Sequence, residues 1–255
     1  MADTSPPSPW SGRHTAKDTL RQRIWTTLQQ QAAVRRDPTG HIPNFIGADK
    51  AADRLAQTNL WQQAQVIKCN PDSPHAPVRQ RAIAEGKCLY MAVPKLTRPD
   101  CFVEVTLESL EAQGATPAQG ATMKGALTYG RPVAFDAMRP IDLVIVGCVA
   151  AATGGGRTGK GAGFADLELA MLRQRGLIAD DTPIVTTVHD LQLVDNAELP
   201  MEPHDWALDL IVTPTRTLAT HSRHPKPAGI DWSSLRPDQI ASIPVLQTWP
   251  HSHTD

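Results

Sequence analysis

The sequence predicts an α/β protein, a three-layer arrangement of a mostly parallel sheet with helices on both faces. Three observations carry that prediction. Short apolar, β-branched runs alternate with amphipathic stretches along the chain, the pattern of βαβ units. The run Ile141-Asp-Leu-Val-Ile-Val-Gly-Cys-Val149 is apolar at nearly every position, as suits a strand covered on both faces. A glycine-rich segment follows that run and opens a helix.

The elements follow in order. Over residues 15–31, Leu20, Ile24 and Leu28 recur every fourth position with Trp25 beside them, which makes one apolar helix face. Lys17 and Arg21, also four apart, share a different face. The segment His41-Ile-Pro-Asn-Phe-Ile-Gly47 is a loop marked by proline and glycine. Residues 48–60 are alanine-rich with mixed charge and form a second helix. Val66 to Asn70 is a short strand stopped by Pro71 and Pro74. Val78 to Glu85 is a helix ended by Gly86, and Leu89 to Val93 is a strand stopped by Pro94. Residues 95–135 read as loop, apart from a short helix at 107–113 and a short strand at 132–135. A helix at 164–175 and strands Ile184–Val188 and Leu208–Thr213 complete the pattern.

Composition narrows the function classes. With 25 basic and 26 acidic side chains the formal net charge is −1. A protein held on nucleic acid or anionic lipid by bulk charge shows a basic excess, so neither partner is expected. No window of about 18 apolar residues suggests a membrane span, and Met1–Trp10 lacks a basic-then-apolar leader. None of the four cysteines forms a C-x-x-C pair, and Cys69 and Cys148 fall in strand-like runs. They read as reduced core thiols of a cytoplasmic protein. Proline is abundant, 22 of 255 residues, and clusters at the ends (Pro6, Pro7, Pro9; Pro225, Pro227, Pro237, Pro244, Pro250). The expected division is a disordered tail at 1–14, one α/β domain at 15–220, and an extended or disordered tail at 221–255.

The segment Gly154-Gly-Gly-Arg-Thr-Gly-Lys-Gly-Ala-Gly-Phe-Ala-Asp166 carries the chemistry. Glycines let backbone N–H groups approach phosphate oxygens, a helix N-terminus adds partial positive charge, and Arg157 and Lys160 neutralise the rest. It is neither a Walker A loop nor a dinucleotide fingerprint, because the required glycine spacings fail. His189-Asp190 follows a strand end, where a histidine can act as acid or base or simply satisfy the loop. His204-Asp205 reads as fixing the start of the last unit, with Asp205 a cap or buried acceptor. No Ser or Cys stands in an elbow motif, so no catalytic residue is assigned.

The same segment resembles the G-x-R-x-G-[RK]-G-x-G-Y-Y-D signature of the 5-formyltetrahydrofolate cyclo-ligase (methenyltetrahydrofolate synthetase) family. Ala16-Lys-Asp-Thr-Leu-Arg-Gln-Arg23 resembles its K-x-x-L-R helix. Asp142-Leu-Val-Ile-Val-Gly147 resembles its D-L-V-[IL]-V-P strand. Leu199-Pro-Met-Glu-Pro-His-Asp205, with Asp209 and Ile211-Val-Thr213, resembles its closing element. The likeness covers roughly residues 16–216 and is weak from 32 to 130. Ile42-Pro-Asn-Phe-x-Gly47, Lys68-x-Asn70-Pro-Asp72, Gly159-Lys-Gly-x-Gly-[FY]-Ala-Asp-Leu-Glu168, Thr187-Val-His-Asp190 and Thr213-Pro-Thr-Arg216 resemble a divergent branch, the methenyltetrahydrofolate synthetase domain-containing proteins.

The resemblance implies a fold related to the ribose-5-phosphate isomerase and CoA-transferase architecture. It implies use of ATP and Mg²⁺ to close 5-formyltetrahydrofolate to 5,10-methenyltetrahydrofolate through a phosphorylated intermediate, with release of ADP and phosphate. The substrate is then a folate or a related N-formyl or heterocyclic metabolite. By the same resemblance, Lys17 and Arg21 contact ATP phosphates from the first helix. Arg157, Lys160 and the backbone of Gly159, Gly161 and Gly163 hold the triphosphate, and Asp166 helps hold Mg²⁺. Asp49 and Asp53 are candidates for the substrate-side acid. Two departures stand out. The family's Tyr-Tyr-Asp is Phe164-Ala165-Asp166 here, and its strand proline is Gly147. The missing phenols keep open a non-catalytic nucleotide- or folate-binding regulatory module. A sugar-phosphate isomerase or acyl-CoA transferase is a third reading, which requires a ligand-facing carboxylate.

Overall fold

The computed structural model describes residues 14–250. The chain begins with α1 (Thr15–Gln30), α2 (Ala48–Ala56) and α3 (Asn59–Gln63). The first βαβ unit is β1 (Val66–Cys69), α4 (Ala76–Ala84) and β2 (Cys88–Ala92). β3 (Phe102–Val105), the short helices α5 (Leu107–Glu111), α6 (Pro117–Gly120) and α7 (Met123–Tyr129), and β4 (Arg131–Val133) come next. After them run β5 (Leu143–Ile145), β6 (Ala150–Ala152), β7 (Arg157–Thr158) and α8 (Phe164–Gln174). The last part holds β8 (Ile184–Thr187), β9 (Leu193–Val194), β10 (Leu210–Val212), β11 (Thr217–Ala219), α9 (Pro237–Ser242) and α10 (Pro244–Gln247).

Eight strands form the main sheet in the order β11-β10-β8-β5-β1-β2-β3-β4. The inner five, from β10 to β2, run parallel. β11 pairs antiparallel at one edge, and β3 and β4 do so at the other. The sheet is therefore mixed rather than mostly parallel. The difference arises in residues 95–135, expected mainly as loop, which supply β3 and helices α6 and α7, and in the unexpected edge strand β11. A second sheet, β7-β6-β9, carries α1. The long apolar run from Ile141 is consequently not one strand. It ends its main-sheet part at Ile145 and re-enters the small sheet at Ala150.

Side-chain alternation assigns the two faces. Leu143 and Ile145 point into a core shared with Leu55, Trp61 and Ile83, on the side of α2 to α4. Val144 and Val146 point into the opposite core, shared with Leu169, Met171 and Leu172 of α8. Helices thus cover both faces. Residues 221–250 correct the expectation of an extended or disordered tail. Ile243 and Leu246 are fully buried in the α8-side core, and Trp249 is nearly so. Three short helical turns place these apolar residues against the sheet, so the folded unit runs to Trp249. The expected N-terminal tail, His14 aside, lies outside the described residues. His14 caps α1 through its ring nitrogen.

The chain turns back at β1. β2 lies on one side of it and β5 on the other. Such a switch point opens a crevice at the carboxyl ends of the two strands, the place where open α/β sheets take ligands.

Candidate functional site at the switch point

The six glycines of the motif divide into two structural groups. Gly154 to Gly156 turn the hairpin between β6 and β7. Gly155 has φ +97°, and a Cβ there would come within 2.7 Å of the Leu208 carbonyl oxygen. This first group serves the small sheet. Gly159, Gly161 and Gly163 form the loop that enters α8, and Gly161 and Gly163 have φ of +105° and +71°. Gly163 is the N-cap of α8 and offers no side-chain cap.

The structure brings Arg21 to this loop and sets Lys17 and Arg157 on carboxylates beside it. Arg21 donates through Nε to the Gly159 carbonyl at 2.6 Å, which ties α1 to the loop. Lys17, one turn earlier, pairs with Asp205, and both are buried. Arg157, 3 % exposed, pairs with Asp166 and donates to the Trp206 carbonyl at 2.9 Å. Lys160 is the exposed member, with Nζ 2.9 Å from Asp72 Oδ1. Arg21 also pairs with Asp18. Each of the four cations therefore faces a carboxylate. The local charge is balanced, which net composition alone does not reveal.

Burial holds the Asp166 carboxyl above the usual range against the pull of Arg157, and the nearby Asp205 charge adds to the rise. The Trp206 N–H donates to Asp166 at 3.0 Å. Asp205 also accepts from the Glu202 N–H at 2.7 Å, the buried acceptor anticipated for it. Its partnership with Lys17 is new. The signal was present in sequence, since both belong to segments of the same family signature.

Asp72, seen in the sequence only as the end of the Lys68-x-Asn70-Pro-Asp72 motif, has no place in the site expected from sequence. It follows β1 at the crevice and reaches Lys160. Asp49 and Asp53, the acids considered instead, lie on α2 in a groove opposite α4, where Asp53 pairs with Arg81. Gly147 explains its own departure from the family proline. A Cβ there would lie 2.6 Å from Asp72 Oδ2 and 3.0 Å from Ile42. The branch motifs close the rim. Phe45 packs edge-on against His189 at 6.1 Å between ring centres. His189 accepts from the Leu191 N–H through Nδ1, and burial lowers its pKa. Its neighbour Asp190 is pushed up by burial but brought below the ordinary value by hydrogen bonds from Thr215, Thr213 and Arg216. Phe164 packs towards the α8-side core, and Ala165 offers no polar group.

Residues 13–214 match the model of the 5-formyltetrahydrofolate cyclo-ligase family. Over 241 residues the chain is 38% identical to a methenyltetrahydrofolate synthase domain-containing protein of Bos taurus, covering 92% of this chain. The Mus musculus protein of that name is 39% identical over 237 residues, 91% of this chain. The chain spans 62% of the length of both relatives. Its fold is similar to the NMR structure of Aquifex aeolicus 5,10-methenyltetrahydrofolate synthetase, with TM-score 0.51 and 17% identity, covering 81% of this chain and 93% of that one.

Proposed function

From its place in the 5-formyltetrahydrofolate cyclo-ligase family, to which this chain belongs, we propose that it is an ATP- and Mg²⁺-dependent ligase of one-carbon metabolism. It converts 5-formyltetrahydrofolate, or a related N-formyl heterocycle, to the cyclised product with release of ADP and phosphate. The observation that carries this reading is that Arg21 reaches the Gly159 carbonyl and Lys160 stands in the same loop, while Lys17 and Arg157 pair with Asp205 and Asp166 beside it. A module without a triphosphate ligand has little use for all four. Phosphoryl transfer rests mainly on positioning and charge neutralisation, and these side chains supply both. Lys160, exposed at the loop, receives the terminal phosphate. Lys17 and Arg21 hold it from α1, and the glycine N–H groups line its path.

The residues also fit a magnesium ion. Among the described residues no group of three or more His, Cys, Asp or Glu side chains is placed to hold a metal. Magnesium asks for less, one or two carboxylates plus phosphate oxygens and water, and Asp166 beside Asp205 offers them. Bound there, the ion would neutralise triphosphate charge.

The parallel centre with its switch point supports kinship with the ribose-5-phosphate isomerase and CoA-transferase architecture. The ligand is a small folate-like molecule rather than nucleic acid, in keeping with a net charge of −1. Among the described residues no helix is long and apolar enough to cross a membrane. Four buried free thiols suit the reducing cytoplasm. One observation favours a second reading. Phe164 and Ala165 supply no hydroxyl where the family has two tyrosines, so the chain could bind nucleotide or folate as a regulatory module. Incubation with 5-formyltetrahydrofolate and ATP·Mg²⁺, followed by methenyl absorbance and ADP release, separates the two. The expected result is both signals in equal amount. ATP binding with neither signal would overturn the ligase reading and leave the module.

A further inference from the structure

Lys68 stands in β1, fully buried in a strand otherwise apolar. Alternation puts its side chain on the same face as Val66, which lies in the α8-side core. A buried ammonium requires partners. Its Nζ lies 2.6 Å from Glu168 Oε2 and donates to Asn70 Oδ1 at 3.2 Å. Asn70 Nδ2 donates to the same Glu168 oxygen at 3.3 Å. The three buried side chains close a triangle between the end of β1 and α8.

Arg79 extends it. Its guanidinium, 2% exposed, donates to the carbonyls of Asn70 at 2.6 Å and Asp72 at 2.9 Å. It also donates to the Ala121 carbonyl at 2.7 Å. The segment Asn70-Pro71-Asp72 is thus fixed along its backbone. Its last carboxylate is delivered over Gly147 to Lys160. Glu168 sits two residues beyond Asp166 on the same helix. Lys68, Asn70 and Glu168 fall in the branch-like motifs and outside the phosphate-binding loop. Buried ionic clusters add little net stability over a packed apolar core. In some proteins such a cluster serves to fix one arrangement among several.

We propose that Lys68, Asn70 and Glu168 are positioning residues that hold the Asp72 carboxylate against Lys160, so that this lysine exchanges a carboxylate for an incoming polyphosphate. The exchange rests on the nucleotide reading above; the positioning does not.

The test uses the full chain with Lys68→Met, Glu168→Leu and the double variant. Each single change strands a buried charge and lowers the melting temperature. The double variant, apolar at both positions, recovers it. Lys160, with a side chain 44% exposed, is open to an amine-acetylating reagent read by mass spectrometry. Its acetylation rises several-fold in the double variant, as it does in Asp72→Asn. Asn70→Ala, which keeps the ion pair, gives the same rise and serves if the double variant fails to fold. Inorganic tripolyphosphate without metal then binds Asp72→Asn and the double variant several-fold more tightly than the parent chain. A stable double variant, or Asn70→Ala, with parental Lys160 reactivity would overturn the proposal. Failure of tripolyphosphate and ATP to bind any form, with Lys160 reactivity still raised, would overturn the nucleotide reading and the exchange but leave the positioning standing.

Discussion

His75 shows how a single buried side chain sets a pH response. It is fully buried beside Asp72 and near the Thr187 backbone. Burial lowers its pKa to about 4, with Arg79 adding to the fall and Asp72 opposing it. A base whose folded pKa lies below its unfolded value takes up more protons when unfolded. Its contribution is full above the unfolded pKa of about 6.5 and declines as pH falls towards 4. The loss is on the order of 3 kcal/mol over that window. Denaturant midpoints measured across it should fall in the parent chain and stay flatter in His75→Leu. A parallel decline in both proteins would show that other groups carry the acid sensitivity.

The same scale shows what the sequence conceals. Lys17, Arg21, Arg157 and Lys160 were legible because each stands in a recognisable motif. Their carboxylate partners were less so, because Asp72 and Lys160 are 88 residues apart in the chain. Only the fold brings them together. Lys68 carried a signal of its own. A lysine inside an apolar strand, followed by Asn-Pro-Asp, asks for a buried partner, but nothing local identifies it as Glu168.

Among the elements, strongly periodic ones were legible and short ones were not. The observed Thr15–Gln30 and Phe164–Gln174 helices lie close to their expected bounds. The expected helix over 48–60 breaks near Thr58, whose hydroxyl accepts the Trp61 N–H and starts α3. The 95–135 region held readable starts that apolar periodicity overlooks. Thr106 and Thr116 form capping boxes, and Thr122 accepts from the Gly125 N–H. The C-terminal segment misled through its prolines. Pro237 and Pro244 open helices, a position where a missing N–H does no harm. Trp249 anchors that segment. It meets Phe135 edge-on at 5.2 Å, lies under Arg175 at 4.5 Å and donates to Gln174 at 2.8 Å. Trp249→Ala should therefore cost about 3–5 kcal/mol, the range for truncating a buried aromatic. Urea unfolding measures it. A loss within about 0.5 kcal/mol, typical of surface changes, would mean the segment does not belong to the cooperative unit.

For the whole molecule, near-neutral charge is repeated at the candidate site itself, where four cations face four carboxylates. A bare triphosphate entering there meets Asp166 and Asp205 as well as the lysines and arginines. A divalent ion shields those acids and frees their partners, so nucleotide and metal should bind synergistically. At a concentration near a hundred times Kd, ATP·Mg²⁺ should stabilise the fold by about 2.7 kcal/mol. For a chain of this size that is a rise of roughly 5–10 °C in Tm. ATP with a chelator, or Mg²⁺ alone, should each give a small fraction of it. Lys160→Ala should abolish most of the rise while changing the Tm of the free protein little, because its side chain is nearly half exposed and its one ion pair lies at the surface rim. Equal shifts from ATP with and without metal would show that the acids do not compete with the phosphates. A flat response at saturating ATP·Mg²⁺ would remove the nucleotide from the site altogether.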